Sequence, residues 1–343
     1  MRYVPTEKLE LGMLIALPVY DDRGRILINS YNELSEKYMQ RIKSFGLQGI
    51  YVEDDYSSDV EIKDNISGEL RCRAIQALKD MNVDACIGIS KEIVNQLLCN
   101  SSWDYGLVDI RSFDEYIYRH SVQVAVLATL IGIGMGLKDK ELENLCLAGL
   151  LLDIGMMHLG EELSTKEKTL TYMDYANIKI HPKVSVKMLE DRDDIMMTTR
   201  IAILQHHENV DGSGYPNGQT GDKIHKFAKI LHVADTYDAL ISKRPFRKCY
   251  TYPEAVEYLL GGCNVQFAKE IVLSFVKNVP VYPKGYPIVL SDGREGFVLR
   301  NKKGYPLRPV VRLFDGEELD LSEVGKTRNI TIRSVMDAEE KFK

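Results

Sequence analysis

No Cys-x-x-Cys pair occurs in this chain of 343 residues, and its six cysteines (Cys72, Cys86, Cys99, Cys146, Cys249 and Cys263) lie far apart. That spacing reads as reduced core residues and a cytoplasmic compartment rather than a disulfide framework. Long basic runs are also missing, and the formal net charge is −6. Bulk nucleic-acid binding needs clustered Lys and Arg, so DNA is not an expected partner. The longest apolar stretch, Val122 to Ile133, is broken by Gln123 and Thr129. It is too short to span a bilayer, so no membrane role is expected. The opening MRYVPTEKLE is polar and carries no signal-peptide pattern. Repeats and low-complexity segments are absent as well.

Hydrophobic residues make up 45% and charged residues 27%, a balance that supports packed cores. The length suits two or three domains. Residues 1–60 read as a small α/β module. Met13 to Tyr20 is rich in strand formers, Asp21 to Gly24 forms a turn, and Arg25 to Ile28 returns as a hairpin. Leu34, Tyr38, Ile42 and Phe45 then recur at helical spacing before Gly46, and Ile50 to Val52 read as another strand. No catalytic group stands out there, so a regulatory or packing role is expected. Residues 61–109 read as an irregular helical linker, with Ser90 placed as an N-cap before Val94 and Leu97. Residues 110–279 are nearly all helix by pattern. One helix ends at His181-Pro182 and a new one starts at 183. Residues 280–343 change character: short Val, Ile, Leu and Phe runs are separated by Gly285, Asp292-Gly293, Gly304 and Asp315-Gly316. This pattern predicts a small antiparallel module, a barrel or curled sheet.

The most informative stretch is HHENVDGSGYP, residues 206–216. His206 and His207 follow an apolar helical run. Adjacent helical side chains diverge by about 100°, so two neighbours can grip one metal only where the backbone cooperates, as at a helix end. The glycines allow a sharp turn beside a ligand, and Pro216 fixes the exit. His120, Asp153, His181 and Asp235 add further metal-ligating types to the same helical region. Facing helices that carry such residues can build a metal site in a domain core.

Taken together, DEYIYRHSVQVA (114–125), the Asp-Ile-Gly of 153–155, His181-Pro182, HHENVDGSGYP, Gly221 and ADTYDALISKRPFR (234–247) resemble the HD-GYP family. This is the bacterial cyclic di-GMP phosphodiesterase branch of the HD phosphohydrolases. The resemblance spans about residues 112–250 and implies a multidomain, mainly α protein with an all-helical HD core. It further implies a two-metal hydrolase. His120, Asp153 and Asp235 match ligands of one metal. Asp153 bridges to a second, whose other ligands match His181, His206 and His207. Asp153 and Asp235 then stand as the catalytic carboxylates that share the metals. Gly214, Tyr215, Pro216, Asp238, Arg244 and Arg247 match the substrate side, where a guanidinium fork suits phosphate or guanine. Mixed nitrogen and carboxylate ligands suit iron or manganese, one or two ions per chain.

The chain also departs from that pattern. Leu152 stands where the family has the histidine of its His-Asp pair, and Met156 replaces the lysine that faces the scissile phosphate. His158 lies six positions beyond Leu152, on another helical face. Tyr116 occupies the place of an extra glutamate ligand in some relatives, which argues against a third metal. Two readings follow. In one, a degenerate protein of cyclic di-GMP signalling binds metal and senses the nucleotide with weak or absent turnover, or pairs with another signalling protein through the GYP loop or its flanking modules. In the alternative, the protein is an active metal-dependent phosphodiesterase. Association into an oligomer is left open.

Overall fold

The structure is a computed structural model. It describes all residues except 21–25, 46, 48, 100–104, 107–115, 160–170, 243–249, 303 and 336–343. The chain divides into two compact units.

One unit comprises residues 1–65, 102–116 and 280–343. Its N-terminal part holds β1 (Arg2–Pro5), β2 (Leu14–Ile15), β3 (Val19–Tyr20), β4 (Ile26–Ile28), α1 (Glu36–Ser44) and β5 (Gly49–Glu53). Ser35 caps α1 by accepting the Tyr38 N–H, and Ile42 is buried on its inner face. β3 and β4 pair antiparallel, as the hairpin reading requires. β5 is the centre of a sheet ordered β1-β5-β2. Its alternation feeds two cores. Ile50 and Val52 face Val4, Ile15 and Ile42, whereas Tyr51 faces Val60, Ile62, Phe297 and Val310. The second cluster therefore joins the two ends of the chain, which strand patterning alone had divided into separate modules. A stacked Tyr3–Tyr286 pair and a two-point Arg312–Asp59 ion pair tie the same segments together. β6 (Lys63–Asp64) and β7 (Tyr105–Gly106) form a short parallel pair.

The C-terminal strands are β8 (Pro287–Leu290), β9 (Glu295–Arg300), β10 (Val310–Leu313), β11 (Glu318–Asp320) and β12 (Ile332–Val335). They form one antiparallel sheet ordered β11-β10-β9-β8-β12. β11 and β12 are its two edges and do not pair, so the sheet is open. The barrel expected from the turn spacing does not close among the described residues.

The other unit, residues 66–101 and 117–279, is helical. It contains α2 (Gly68–Lys79), α3 (Val83–Cys99), α4 (Tyr116–Gly134), α5 (Asp139–Leu151), α6 (Ile154–Leu159), α7 (Tyr172–Lys187), α8 (Met197–Gln205), α9 (Lys226–Ile241), α10 (Tyr252–Gly261) and α11 (Lys269–Asn278). α4 is long and apolar enough to cross a membrane by composition, but 78% of that stretch is buried inside the protein. A Cβ on Gly149 of α5 would lie 2.6 Å from the Ala125 Cα, so these two helices meet at backbone distance. Ser90 is not an N-cap. It sits buried within α3, where its hydroxyl donates to the Ile87 carbonyl. Five described cysteines are free; Cys86 and Cys146 are core residues with thiol pKa values pushed up to about 12 by burial, whereas Cys99 is exposed. Cys249 lies outside the described residues.

Candidate metal centre

His181 lies within α7, which runs straight through Pro182. The expected break at this proline does not occur, and the reason is local. Proline has no N–H, so the carbonyl four residues back, Ile178, loses its helical partner. The His181 Nδ1, 2.6 Å from that oxygen, takes its place as donor. The exchange fixes the ring tautomer and leaves the Nε2 lone pair facing inward. His206 repeats the arrangement at the end of α8. There the Ile203 carbonyl belongs to the last turn and has no intrahelical donor, and the His206 Nδ1 lies 2.6 Å from it. Two free carbonyls at irregular points of the helices thus aim two Nε2 lone pairs at one spot.

The atoms at that spot need a cation. The two Nε2 atoms are 3.2 Å apart, and the His181 Nε2 is 3.1 Å from Asp153 Oδ1. Two lone pairs and a carboxylate oxygen cannot satisfy one another without a proton or metal between them. Burial disfavours the charged forms, but the hydrogen bond and charge from His181 hold the Asp153 carboxyl well below its usual range. The same contact overcomes burial at His181 and raises its pKa. Burial and the neighbouring His181 push His206 the other way, down to about 4. His207 is driven well below its ordinary value by burial and by the other rings. Burial also lowers His232, against the opposing pull of Asp235 and the His206 backbone. Asp153 itself sits at the turn between α5 and α6, where Gly155 lets α6 close on α7. A Cβ there would meet the His181 carbonyl oxygen at 2.3 Å. The Ser185 hydroxyl accepts the Gly155 N–H and donates to the Leu152 carbonyl, which locks this turn.

The second group lies on α4 and α9. His120 Nε2 is 2.9 Å from Asp235 Oδ1 and 3.9 Å from Asp153 Oδ2. Its Nδ1 lies 2.7 Å from Asp238 Oδ2. A carboxylate can only accept, so Asp238 orients the imidazole of His120 through Nδ1–H. Asp238, expected on the substrate side, is 2% exposed and is engaged with His120. The burial of α9 on this side places it behind His120.

His207 opens the motif loop. Its Nδ1 is 3.7 Å from Asp235 Oδ2, and the Tyr215 ring stacks on it at 4.6 Å. Lys179 lies over the other half of this pair, 5.7 Å from the Tyr215 centroid. Gly214 is demanded by packing: a Cβ would fall 2.2 Å from the Asn209 nitrogen and 2.4 Å from the His207 oxygen. The Tyr215–Pro216 peptide is cis. Glu208 is buried and accepts the Asn217 and Gln219 N–H groups, pinning the loop from inside.

Leu152 is fully buried, and Met156 is partly buried on α6. His158 is exposed at the end of α6, so it does not stand in for the absent histidine. Arg244 and Arg247 lie outside the described residues. Sequence reading missed His232, which lies three positions before Asp235 on α9. The ligand atoms of His207, His232 and Asp235 all fall within 4.8 Å of one another, as do those of His181, His206 and His207. A His-x-x-Asp spacing along the helix was the available signal.

The donor set, three inward nitrogens and shared carboxylates with an unmet need for positive charge, fits a divalent metal. Residues 110–267 match the HD domain family model. A cyclic di-GMP phosphodiesterase from Pseudomonas aeruginosa is 33% identical over 233 residues, covering 65% of this chain and 56% of that protein. Another from Borreliella burgdorferi is 25% identical over 217 residues, covering 63% of this chain and 57% of that protein. The chain thus spans a little over half the length of these curated relatives. A solved HDGYP protein from Bdellovibrio bacteriovorus shares the fold, with a TM-score of 0.54 and 20% identity, covering 80% of this chain and 97% of that one. Residues 110–267 are similar to HD domains, and the His and Asp groups gathered there could hold a metal ion. The curated relatives it matches are cyclic di-GMP phosphodiesterases, to which the chain is similar over 63–65% of its length.

Proposed function

We propose that this protein is a degenerate HD-GYP member of cyclic di-GMP signalling. It holds one or two divalent ions, iron or manganese, binds cyclic di-GMP, and turns it over weakly or not at all. The observation that carries this reading is Leu152. An apolar side chain, fully buried, occupies the position next to Asp153 where the family places a ligand.

Asp153, His181, His206 and His207 would hold one ion; His120, Asp153 and Asp235 would hold the other. A metal pair supplies an ionised water near neutral pH and neutralises charge at the phosphoryl group. The chain's own contribution is to aim the ligands. Ile178 and Ile203 carbonyls fix two rings, Asp238 fixes a third, and the Tyr215 ring walls the site beside His207. Arg244 and Arg247 are assigned to the phosphates or guanines of the nucleotide. With Met156 in place of lysine, no cation from α6 meets the transferring phosphoryl group. Loss of one such charge-stabilising group lowers turnover by about 100-fold or more. The convergence of six ligand residues favours the alternative, an active phosphodiesterase.

The deciding experiment pairs cyclic di-GMP binding by calorimetry with turnover by anaerobic, metal-replete protein. Binding with slow or no turnover is expected. Efficient hydrolysis would establish the alternative, and absence of binding would overturn both.

A further inference from the structure

We infer that His232 is a metal ligand of this protein, which with His207 and Asp235 holds an ion on the α9 side of the cluster. The inference rests on the reading that the helical unit holds metal. His232 and Asp235 are three residues apart on one helix, so their side chains share a face. With His207 they bring three ligand atoms within 4.8 Å of one another.

The tautomer of His232 is fixed by a chain of hydrogen bonds that leads away from the cluster. Asp211 Oδ1 accepts the Ser213 hydroxyl at 2.7 Å. Ser213 Oγ accepts the Asn209 amide nitrogen at 2.9 Å. The Asn209 amide is thereby oriented with Oδ1 toward His232, whose Nε2 lies 3.1 Å away. An amide oxygen can only accept, so Nε2 carries the hydrogen and Nδ1 carries the lone pair. Nδ1 is buried and has no hydrogen-bond partner among the described residues. A buried acceptor with nothing to accept is an unfavourable arrangement that a metal would relieve.

The position also answers the sequence's main departure. The chain has lost a ligand nitrogen at Leu152 and carries another at His232, so the nitrogen count of the cluster is kept. His207 lies in both sets of converging atoms. The competing role for His232 is that of a packed core ring, since Phe267 lies against it with centroids 5.1 Å apart. A packing role and a ligand role make different predictions.

The test compares the full chain with His232→Ala and His181→Ala after anaerobic loading with Mn²⁺ or Co²⁺. Elemental analysis and the visible spectrum of the Co²⁺ form provide the readouts. His232→Ala is expected to lose up to one metal per chain, or to weaken one ion by about 10-fold or more, and to change the Co²⁺ spectrum. Asn209→Leu keeps the imidazole and its packing but removes the acceptor that sets its tautomer. A smaller loss of the same ion is expected, and this variant decides the matter if His232→Ala does not fold. Metal number, affinity and spectrum equal to the parent in folded variants would overturn the inference. In that case, metal still lost in His181→Ala leaves the wider site intact. A parent that takes up no metal would overturn both.

Discussion

The two sides of the candidate metal centre are built differently. On the α7–α8 side, His181 and His206 are aimed by backbone carbonyls, those of Ile178 and Ile203. On the α4–α9 side, His120 is aimed by a side chain, Asp238, and the residue before Asp153 is the fully buried Leu152. A carbonyl freed by a proline or a helix end survives most changes of neighbouring side chain, replacement of the proline itself excepted. A carboxylate partner or a ligand can be lost by one substitution. In the proposed reading, the backbone-aimed side keeps its full residue set and the side-chain-aimed side is the one that has drifted.

The largest effect expected from this contrast is on metal content. His206→Ala with His207→Ala should remove at least one metal equivalent per chain, measured by elemental analysis. His120→Ala should leave the α7–α8 ion in place. Equal metal content in the double variant and the parent would end the comparison.

Next in size is repair of the drifted side. Leu152→His with Met156→Lys should raise cyclic di-GMP hydrolysis on the order of 100-fold, since one ligand and one phosphate-facing cation return together. The double change should exceed either single change, because a cation helps little when the attacking group is not positioned. Thermal melts separate this from overpacking at the buried position 152. A folded, metal-replete double variant without hydrolysis would place the divergence elsewhere.

Smaller effects test how each ring is aimed. Asp238→Asn should weaken the His120-side ion by about 10-fold in a chelator competition, with little change on the other side. Pro182→Ala restores an N–H that competes for the Ile178 carbonyl. It should stabilise α7 yet loosen the His181-side ion, so melting temperature and metal affinity move in opposite directions. If both rise together, the proline is not what sets the His181 tautomer.

The gentlest effect is on pH dependence without metal. His206 titrates at about 4 in the folded protein against an ordinary 6.5. The unfolded chain therefore binds a proton between those values that the folded ring refuses. Its contribution to stability is present above 6.5 and lost as pH falls toward 4. His181 is shifted upward. Its contribution is complete below 6.5 and lost as pH rises through its raised value. Denaturant midpoints across pH should reflect both slopes, and His206→Gln should remove the acidic one.

Much of the site could be read from residue order because its ligands sit in short, unusual strings. HHENVDGSGYP announced a helix end and a turn beside two neighbouring histidines, and the structure supplies Gly214 at a place no Cβ can enter. The continuation of α7 through Pro182 could not be read, because proline rules describe the backbone and the compensating donor is a side chain. Ser90 looked like a cap because its hydroxyl can end a helix as readily as it bonds back within one. The shared core of the two chain ends depends on which face of β5 meets which strand, and period-two alternation is silent on partners separated by more than two hundred residues. His232 was hidden for a similar reason: its spacing of three from Asp235 is a weak signal on an apolar helix until Asn209 and His207 are seen beside it.

The most direct measurement asks whether the centre binds the nucleotide without opening it. Cyclic di-GMP should be mixed in equal amount with anaerobic, metal-replete protein, and the bound nucleotide recovered and analysed after many hours. Recovery of intact cyclic di-GMP with the protein is the expected result. Rapid conversion to a linear product would contradict it, and would show that Leu152 and Met156 have left the chemistry in place.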